Sequence, residues 1–170
     1  MKRNRTWLYV GVMMLAAAAA GYMVSRQLQH PLPALQTGTA LPQPRALPPF
    51  QLEDQSGATF ANAQLTGQPS LVFFGFTHCP DVCPTTLALM AQLARESSLQ
   101  GLRMVFVTVD PARDDRQKLQ QYVNAFGGNF TGLRGEESAL DPLLRGIGVA
   151  RAIQPLPGGD YTVAHSATLF

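Results

Sequence analysis

Cysteine is almost absent from this 170-residue chain, whose only two cysteines, Cys79 and Cys83, lie four positions apart. So few thiols exclude a fold held together by several disulfides, the usual solution for small exported domains with little core. Basic residues are not concentrated either: after residue 28 the chain holds nine Lys or Arg against eleven Asp or Glu, a net charge of about −2. Without a basic stripe in its folded region, the chain has no support for binding nucleic acid.

The amino-terminal segment is the long uncharged stretch of the chain. From Trp7 to Val24 it is apolar for 18 residues, and at about 1.5 Å per residue such a helix spans roughly 27 Å, close to the hydrocarbon core of a bilayer. Three basic residues precede it and one follows closely: Lys2, Arg3, Arg5 and Arg26. The positive-inside rule then keeps the amino terminus in the cytoplasm. We predict that residues 1–28 anchor a single-pass protein in the bacterial inner (cytoplasmic) membrane, with its domain on the periplasmic or extracytoplasmic side.

A cleaved secretory signal is the alternative interpretation of this segment. Ala16 to Ala20, followed by Gly21, offer the small residues that signal peptidases require. The length of the segment and the aromatic residues near its two ends, Trp7 and Tyr22, favour the uncleaved anchor. Both interpretations export the domain. No cysteine follows the apolar segment closely, so attachment of a lipid through that residue has no acceptor.

Residues 29–47 are predicted to form a proline-rich linker. Six prolines lie between His30 and Phe50: Pro31, Pro33, Pro42, Pro44, Pro48 and Pro49. This composition favours an extended, semi-rigid spacer, in which His30 has no expected role at a site. Residues 48–170 remain for the folded part, enough for one core and one domain.

The folded part alternates between strand-like and helix-like patterns. Leu71 to Phe76 and Leu102 to Val109 are apolar runs typical of strands that are buried on both faces. Helical spacing follows each run, beginning near Pro84 and near Asp114, and a further short helix is predicted over residues 137–145.

The last part of the chain predicts a β-hairpin, formed by Val149 to Ile153 and by Tyr161 to Phe170 around a Pro-Leu-Pro-Gly-Gly turn. Strand, helix, strand, helix and hairpin in this order predict an α/β domain with a central sheet flanked by helices. The two cysteines fall at the carboxyl end of the first buried strand, where open α/β sheets usually hold their sites.

The spacing of Cys79 and Cys83 indicates metal or redox chemistry. A helix amino terminus stabilises anions, so we expect the cysteine just before Pro84 to favour its thiolate form. The two sulfurs can bond to each other or share one ion, and soft thiolates select Cu(I), with zinc as the other candidate. A structural disulfide is the alternative, although closing so short a loop removes little entropy from the unfolded chain.

His165 is the third candidate metal ligand. Strand alternation would place its side chain on one face with Val163 and Ala167, although a lone histidine in an apolar strand is often a core residue. His78, beside Cys79, could also reach a metal or tune the thiolate, but at the edge of its loop we expect it to be solvated.

Asp110 and Asp114 are weaker candidates that follow the second buried strand. Asp110 ends that strand, so its carboxylate is expected to face the thiols from across the end of the sheet. The alternative for both residues is a turn or helix cap.

Three motifs occur in order along the chain: FGFTHCPDVCP at residues 74–84, VDPARD at residues 109–114 and VAHS at residues 163–166. Together they resemble the Sco/SenC family of copper-binding cytochrome c oxidase assembly factors, and the resemblance runs from about residue 48 to the last residue. It implies a thioredoxin-like fold, copper as the bound metal, and Cys79, Cys83 and His165 as its ligands. Asp110 matches an acidic position of the family near the site.

The resemblance also implies the partners. The copper centre of cytochrome c oxidase subunit II would receive the metal, and the dithiol could reduce the recipient's cysteines. Another copper carrier or a thiol reductant would act upstream.

The sequence differs from the family pattern in two ways. Ala164 stands where many members have an acidic residue. The family also continues past His165 with more strand, a partner strand and a closing helix, so we expect these closing elements to be missing and copper affinity to be weakened.

A membrane-anchored thiol–disulfide oxidoreductase acting on exported proteins is the alternative function, and it would need only Cys79 and Cys83. Two features weigh against it. Thioredoxins usually have two residues between their cysteines, not three, and the segment Tyr161 to Phe170 has no proline where that fold places one opposite the dithiol.

Overall fold

The computed structural model describes residues 3–28, 38–96, 99, 101–127 and 130–170. The chain divides into two units, Met1–Arg45 and Ala46–Phe170. In the first unit, helix α1 runs from Arg3 to Leu28, and its span Tyr9–Arg26 has the length and composition to cross a membrane, as a signal sequence also would. Residues 29–37 of the predicted linker, with His30, lie outside the described residues.

The second unit is built on a mixed sheet of five strands in the order β2-β1-β5-β4-β3. The strands are β1 (Gln51–Asp54), β2 (Thr59–Ala61), β3 (Ser70–Gly75), β4 (Arg103–Thr108) and β5 (Phe130–Arg134). Strands β3, β4 and β5 are parallel, whereas β1 is antiparallel to both β2 and β5. The two predicted buried strands are confirmed as β3 and β4, which lie side by side.

Three helices cover the sheet: α2 (Val82–Leu93), α3 (Arg116–Asn124) and α4 (Glu137–Ile147). A 3₁₀ turn, Asn62–Leu65, follows β2. Helices α2 and α3 pack on one face, because a Cβ atom added at Gly75 or Gly132 would meet their side chains. Helix α4 covers the other face, where its Leu143 lines an apolar pocket together with Phe74. The predicted α/β layering is therefore confirmed.

A separate two-stranded sheet carries the last motif. Strands β6 (Arg151–Pro155) and β7 (Tyr161–His165) are antiparallel, with Arg151 opposite His165. The predicted hairpin is confirmed, but its second strand is shorter than expected, since the chain leaves the hairpin after His165. The last residues pair instead with the outer edge of β3, where Phe170 and Val72 exchange two backbone hydrogen bonds of 2.8 and 2.9 Å.

Candidate metal centre

Both cysteines lie at the connection between β3 and α2. Strand β3 ends at Gly75, a loop follows, and α2 begins at Val82, so Cys83 belongs to the first turn of the helix. Cys83 is fully buried, Cys79 is half-buried, and both are free thiols. A Cβ atom at Gly75 would lie 2.9 Å from the Cys83 sulfur. The missing side chain at the end of β3 therefore makes room for that sulfur.

The structure brings His165 against Cys83. The Nε2 atom of His165 lies 3.7 Å from the Cys83 sulfur, across 82 positions of sequence. The Cys79 sulfur accepts a hydrogen bond of 3.4 Å from the backbone N–H of Cys83. Within the described residues, no group of three or more His, Cys, Asp and Glu side chains is already arranged to hold a metal ion.

The imidazole of His165 is held in one orientation. Its Nδ1 atom lies 3.1 Å from the carbonyl oxygen of Ser166. Because a carbonyl only accepts, Nδ1 carries a hydrogen, which leaves Nε2 as the ring nitrogen that faces the cysteine, as in many metal-binding histidines. The ring packs edge-on against Phe73 and Phe76, with centroids 6.2 and 5.8 Å away.

Burial controls the ionisation of Cys83. It raises the pKa of the Cys83 thiol to about 12, helped by the hydrogen bond with Cys79 and by the negative charge of Asp114. The expectation that the cysteine before Pro84 favours its thiolate is therefore wrong for the metal-free protein. Desolvation of a fully buried sulfur outweighs the stabilisation that a helix amino terminus gives.

Asp114 anchors the loop that carries the cysteines. Its buried carboxylate accepts hydrogen bonds from the backbone N–H of Thr77 (2.9 Å) and from the hydroxyls of Thr77 and Thr108 (both 2.6 Å). It is not the helix cap: Asp115 caps α3 by accepting from the backbone N–H of Lys118. His78 is 45% exposed at the loop edge, with Nδ1 3.6 Å from Asp114.

Asp110 faces the hairpin. One of its oxygens accepts from Arg113 Nε at 2.6 Å and the other from the Tyr161 hydroxyl at 2.8 Å, in a site where Asp110 is 1% exposed. These bonds tie the carboxylate to Arg113 and to the hairpin, and the expectation that Asp110 also acts beside the thiols stays a prediction.

Sequence reasoning missed the roles of Arg113, Asp114, Tyr161 and Tyr122. Burial raises the pKa of Tyr122, and its hydroxyl has no hydrogen-bond partner within the described part of the chain. Arg113 and Asp114 stand inside the VDPARD motif, and Tyr161 shares a strand face with His165. The motif and the shared strand face were the sequence signals that could have indicated these three residues.

Known proteins include relatives of this chain. The SCO1/SenC family model matches residues 38–170. A putative copper-binding protein of Stutzerimonas stutzeri is 41% identical over 133 residues, which are 76% of this chain and 65% of the relative. The chain thus spans less than two thirds of that relative's length, and smaller shares of other curated relatives.

Two solved structures show the same fold. Bradyrhizobium japonicum ScoI with copper bound has a TM-score of 0.69 and 35% identity, covering 74% of this chain and 81% of that one. BsSco, described with a disulfide switch as a member of the Sco family of cytochrome c oxidase assembly proteins, has a TM-score of 0.55 and 25% identity, covering 72% and 74%. The fold is therefore thioredoxin-like, and the chain belongs to the SCO1/SenC family.

Proposed function

We propose that this protein is a copper chaperone that binds one Cu(I) ion through Cys79, Cys83 and His165. The observation that carries the proposal is the 3.7 Å separation of His165 Nε2 from the Cys83 sulfur. Metal–sulfur and metal–nitrogen bonds of about 2.3 and 2.0 Å, as for zinc, place two ligands of one ion roughly 3.5 to 3.7 Å apart. These two donors are thus spaced as ligands of one metal ion.

Cys79 would supply the third donor. Its sulfur accepts a hydrogen bond from the Cys83 backbone N–H, which keeps it next to Cys83 at the amino terminus of α2. Cys79 is half-buried, which gives the ion a route from solvent.

The donor set suits a soft monovalent ion. Two thiolates and a neutral imidazole would hold Cu(I) with a net charge of −1, and soft sulfur ligands favour Cu(I) over harder ions. Because the pKa of Cys83 is raised to about 12 by burial, its proton must leave when the metal binds. The copper-bound ScoI relative supports copper as the metal.

The recipient we propose is the copper centre of cytochrome c oxidase subunit II, in line with the assembly role stated for the relative BsSco. Residues 1–28 would anchor the protein in the membrane, residues 29–47 would act as the spacer, and residues 48–170 would present the site. In this arrangement the domain lies on the periplasmic side, with an upstream copper carrier or thiol reductant supplying metal or electrons.

Replacement of the imidazole tests the ligand set. The full chain in detergent, fully reduced, is titrated with Cu(I) against a competing colorimetric chelator, as wild type and as His165→Ala. We expect one Cu(I) per wild-type chain. We also expect His165→Ala to weaken binding by roughly tenfold or more, because even the outer-shell partners of metal ligands are worth 10- to 100-fold in affinity.

His78→Ala is the matched control, since His78 is the neighbour of Cys79 but contacts Thr77 and Asp114. It should leave the affinity unchanged. Equal affinities for wild type and His165→Ala would refute the ligand set.

Thiol–disulfide exchange is the second candidate function, favoured by the two free thiols and the accessibility of Cys79. In that reaction the dithiol gives two electrons and two protons to a recipient disulfide and itself becomes a disulfide. Under the copper proposal, His165→Ala still allows a disulfide to form between Cys79 and Cys83. If this variant kept its copper affinity but lost dithiol exchange, the oxidoreductase function would replace the copper proposal.

A further inference from the structure

Three side chains join the hairpin to the loop that follows β4, and we name them the Asp110–Arg113–Tyr161 clamp. Arg113 Nε donates to Asp110 at 2.6 Å, and Arg113 Nη1 donates to the carbonyl oxygen of Tyr161 at 2.8 Å. The Tyr161 hydroxyl donates to the other oxygen of Asp110 at 2.8 Å. The guanidinium carbon of Arg113 also stands 3.8 Å from the centroid of the Tyr161 ring. The three hydrogen bonds close a ring that joins the loop to the hairpin.

The clamp is shielded from water. Asp110 is 1% exposed, and the side chain of Arg113 is 20% exposed. A buried, hydrogen-bonded ion pair holds its partners in one arrangement, because loss of either partner leaves the other charge buried and uncompensated. The clamp therefore fixes the position of Tyr161 more firmly than a surface ion pair would.

Side-chain hydrogen bonds attach the hairpin to the rest of the domain. Strands β6 and β7 pair with each other and form a sheet separate from the central one. On the other strand of the hairpin, Arg151 Nε donates to the carbonyl oxygen of Val109 at 2.6 Å. Arg151 thus joins β6 to the segment 109–113. Arg113 joins the same segment to β7.

The clamp and the candidate ligand occupy the two ends of one strand. Tyr161 begins β7 and His165 ends it, and alternation places Tyr161, Val163 and His165 on the same face. Phe76 links the two ends through space, because its ring packs against His165 and lies 5.9 Å from the Arg113 guanidinium. Tyr161 and His165 therefore share one face of β7, with Phe76 between the clamp and the imidazole.

We propose that Arg113 is a positioning residue for the metal site, which holds β7 so that His165 reaches the ion bound by the cysteines. The inference rests on the proposed copper-binding function. Arg113 is suited to the role because its planar fork serves a carboxylate and a carbonyl at the same time, which the single ammonium group of a lysine does not reproduce.

A double-mutant cycle tests the proposal in the reduced full chain in detergent. Cu(I) affinity is measured for wild type, Arg113→Gln, His165→Ala and the double variant. We expect Arg113→Gln to lower the affinity roughly tenfold, the size found for positioning partners of metal ligands, and to have no further effect once His165 is absent. Arg145→Gln is the control, because Arg145 pairs with Asp141 on the exposed surface of α4, and it should change nothing.

The cycle separates failure of this inference from failure of the proposed function. Suppose that His165→Ala weakens Cu(I) binding. If Arg113→Gln then has no effect, or weakens binding equally with and without His165, the positioning role is refuted while the ligand set stands. If His165→Ala has no effect, the ligand set fails and the inference fails with it.

A milder variant covers the case in which Arg113→Gln does not fold. Tyr161→Phe removes the hydroxyl bond to Asp110 but keeps the ring under Arg113. We expect a smaller loss of Cu(I) affinity that again requires His165, together with a weaker nitrogen contribution to the copper X-ray absorption. An unchanged affinity and an unchanged nitrogen contribution in Tyr161→Phe would overturn the proposal.

Discussion

Gly75 ends β3 directly beneath Cys83, at a position where any side chain would displace the sulfur. An added Cβ atom would lie 2.9 Å from the Cys83 sulfur and 2.8 Å from the ring of Phe106. We expect Gly75→Ala to destabilise the fold by about 1 to 3 kcal/mol, the usual cost of overpacking a core. We also expect it to expose Cys83 to a thiol reagent, and denaturant unfolding and labelling rates measure the two effects.

Gly132→Ala is the matched control for this substitution. Its Cβ atom would press on Leu119 and Val123 of α3 instead, 3.0 and 3.1 Å away. It should destabilise the fold without changing the reactivity of the thiols. Equal labelling rates in the two variants would show that Gly75 has no special relation to Cys83.

The pH dependence of stability follows from the buried thiol. Burial raises the pKa of Cys83 from 9.0 to about 12, so between these values the folded protein holds a proton that the unfolded chain has released. The contribution of Cys83 to stability is thus complete below about pH 9 and is lost as the pH rises, by about 1.4 kcal/mol per unit. Urea unfolding from pH 7 to pH 11 measures this loss. Cys83→Ala should show a flatter profile, and an identical slope would contradict the assignment.

The candidate ligands could be predicted because their residue types carry the chemistry. Cys79 and Cys83 stand out as the only thiols, and His165 stands out in an apolar strand. The supporting residues could not be predicted in this way. The contacts of Asp114 with Thr77 and of Arg113 with Tyr161 join residues 37 and 48 positions apart, and aspartate or arginine in a turn has many ordinary structural uses.

At the scale of elements, the buried carboxylate of Asp114 holds the loop between β3 and α2. Asp114 accepts from the fixed backbone N–H of Thr77 and from two hydroxyls, and asparagine in its place would exchange one accepting oxygen for a donor and remove the charge that strengthens these bonds. We expect Asp114→Asn to destabilise the fold by about 1 to 3 kcal/mol, the cost of leaving buried polar groups unsatisfied. It should also increase hydrogen exchange in residues 77–81.

The neighbouring Asp115 provides the control. It caps α3 at the surface, and asparagine is as good an amino-terminal cap as aspartate. Asp115→Asn should therefore leave both stability and exchange in the cysteine loop almost unchanged. If Asp114→Asn changed stability and exchange as little as Asp115→Asn, Asp114 would not hold the cysteine loop.

The elements that the sequence predicted are those with strong local patterns. The continuous apolar runs indicated β3 and β4, and the Pro-Gly turn indicated the hairpin. Strands β1, β2 and β5 were not predicted, because their sequences, QLED, TFA and FTGLR, contain no continuous apolar run. Their place in the sheet depends on pairing with distant partners, which outweighs weak local preference.

At the scale of the molecule, the chain combines an apolar helix, a proline-rich segment and a domain with an accessible thiol. The two cysteines are the only ones in the sequence, so a membrane-impermeant maleimide reports the side on which the domain lies. We expect labelling of reduced, intact spheroplasts without permeabilisation, because the positive-inside rule keeps the amino terminus in the cytoplasm.

Cys79→Ser should abolish this labelling, since Cys83 is fully buried. Labelling that appears only after the membrane is permeabilised would place the domain in the cytoplasm and contradict the proposed topology.

The central claim is that two sulfurs and one imidazole, distant in sequence, hold a single Cu(I) ion. X-ray absorption of the reduced full chain loaded with one equivalent of Cu(I) tests it most directly. The account predicts two sulfur ligands and one imidazole nitrogen, with the nitrogen lost in His165→Ala. A copper ion bound by sulfur alone, with a spectrum unchanged by that substitution, would contradict it.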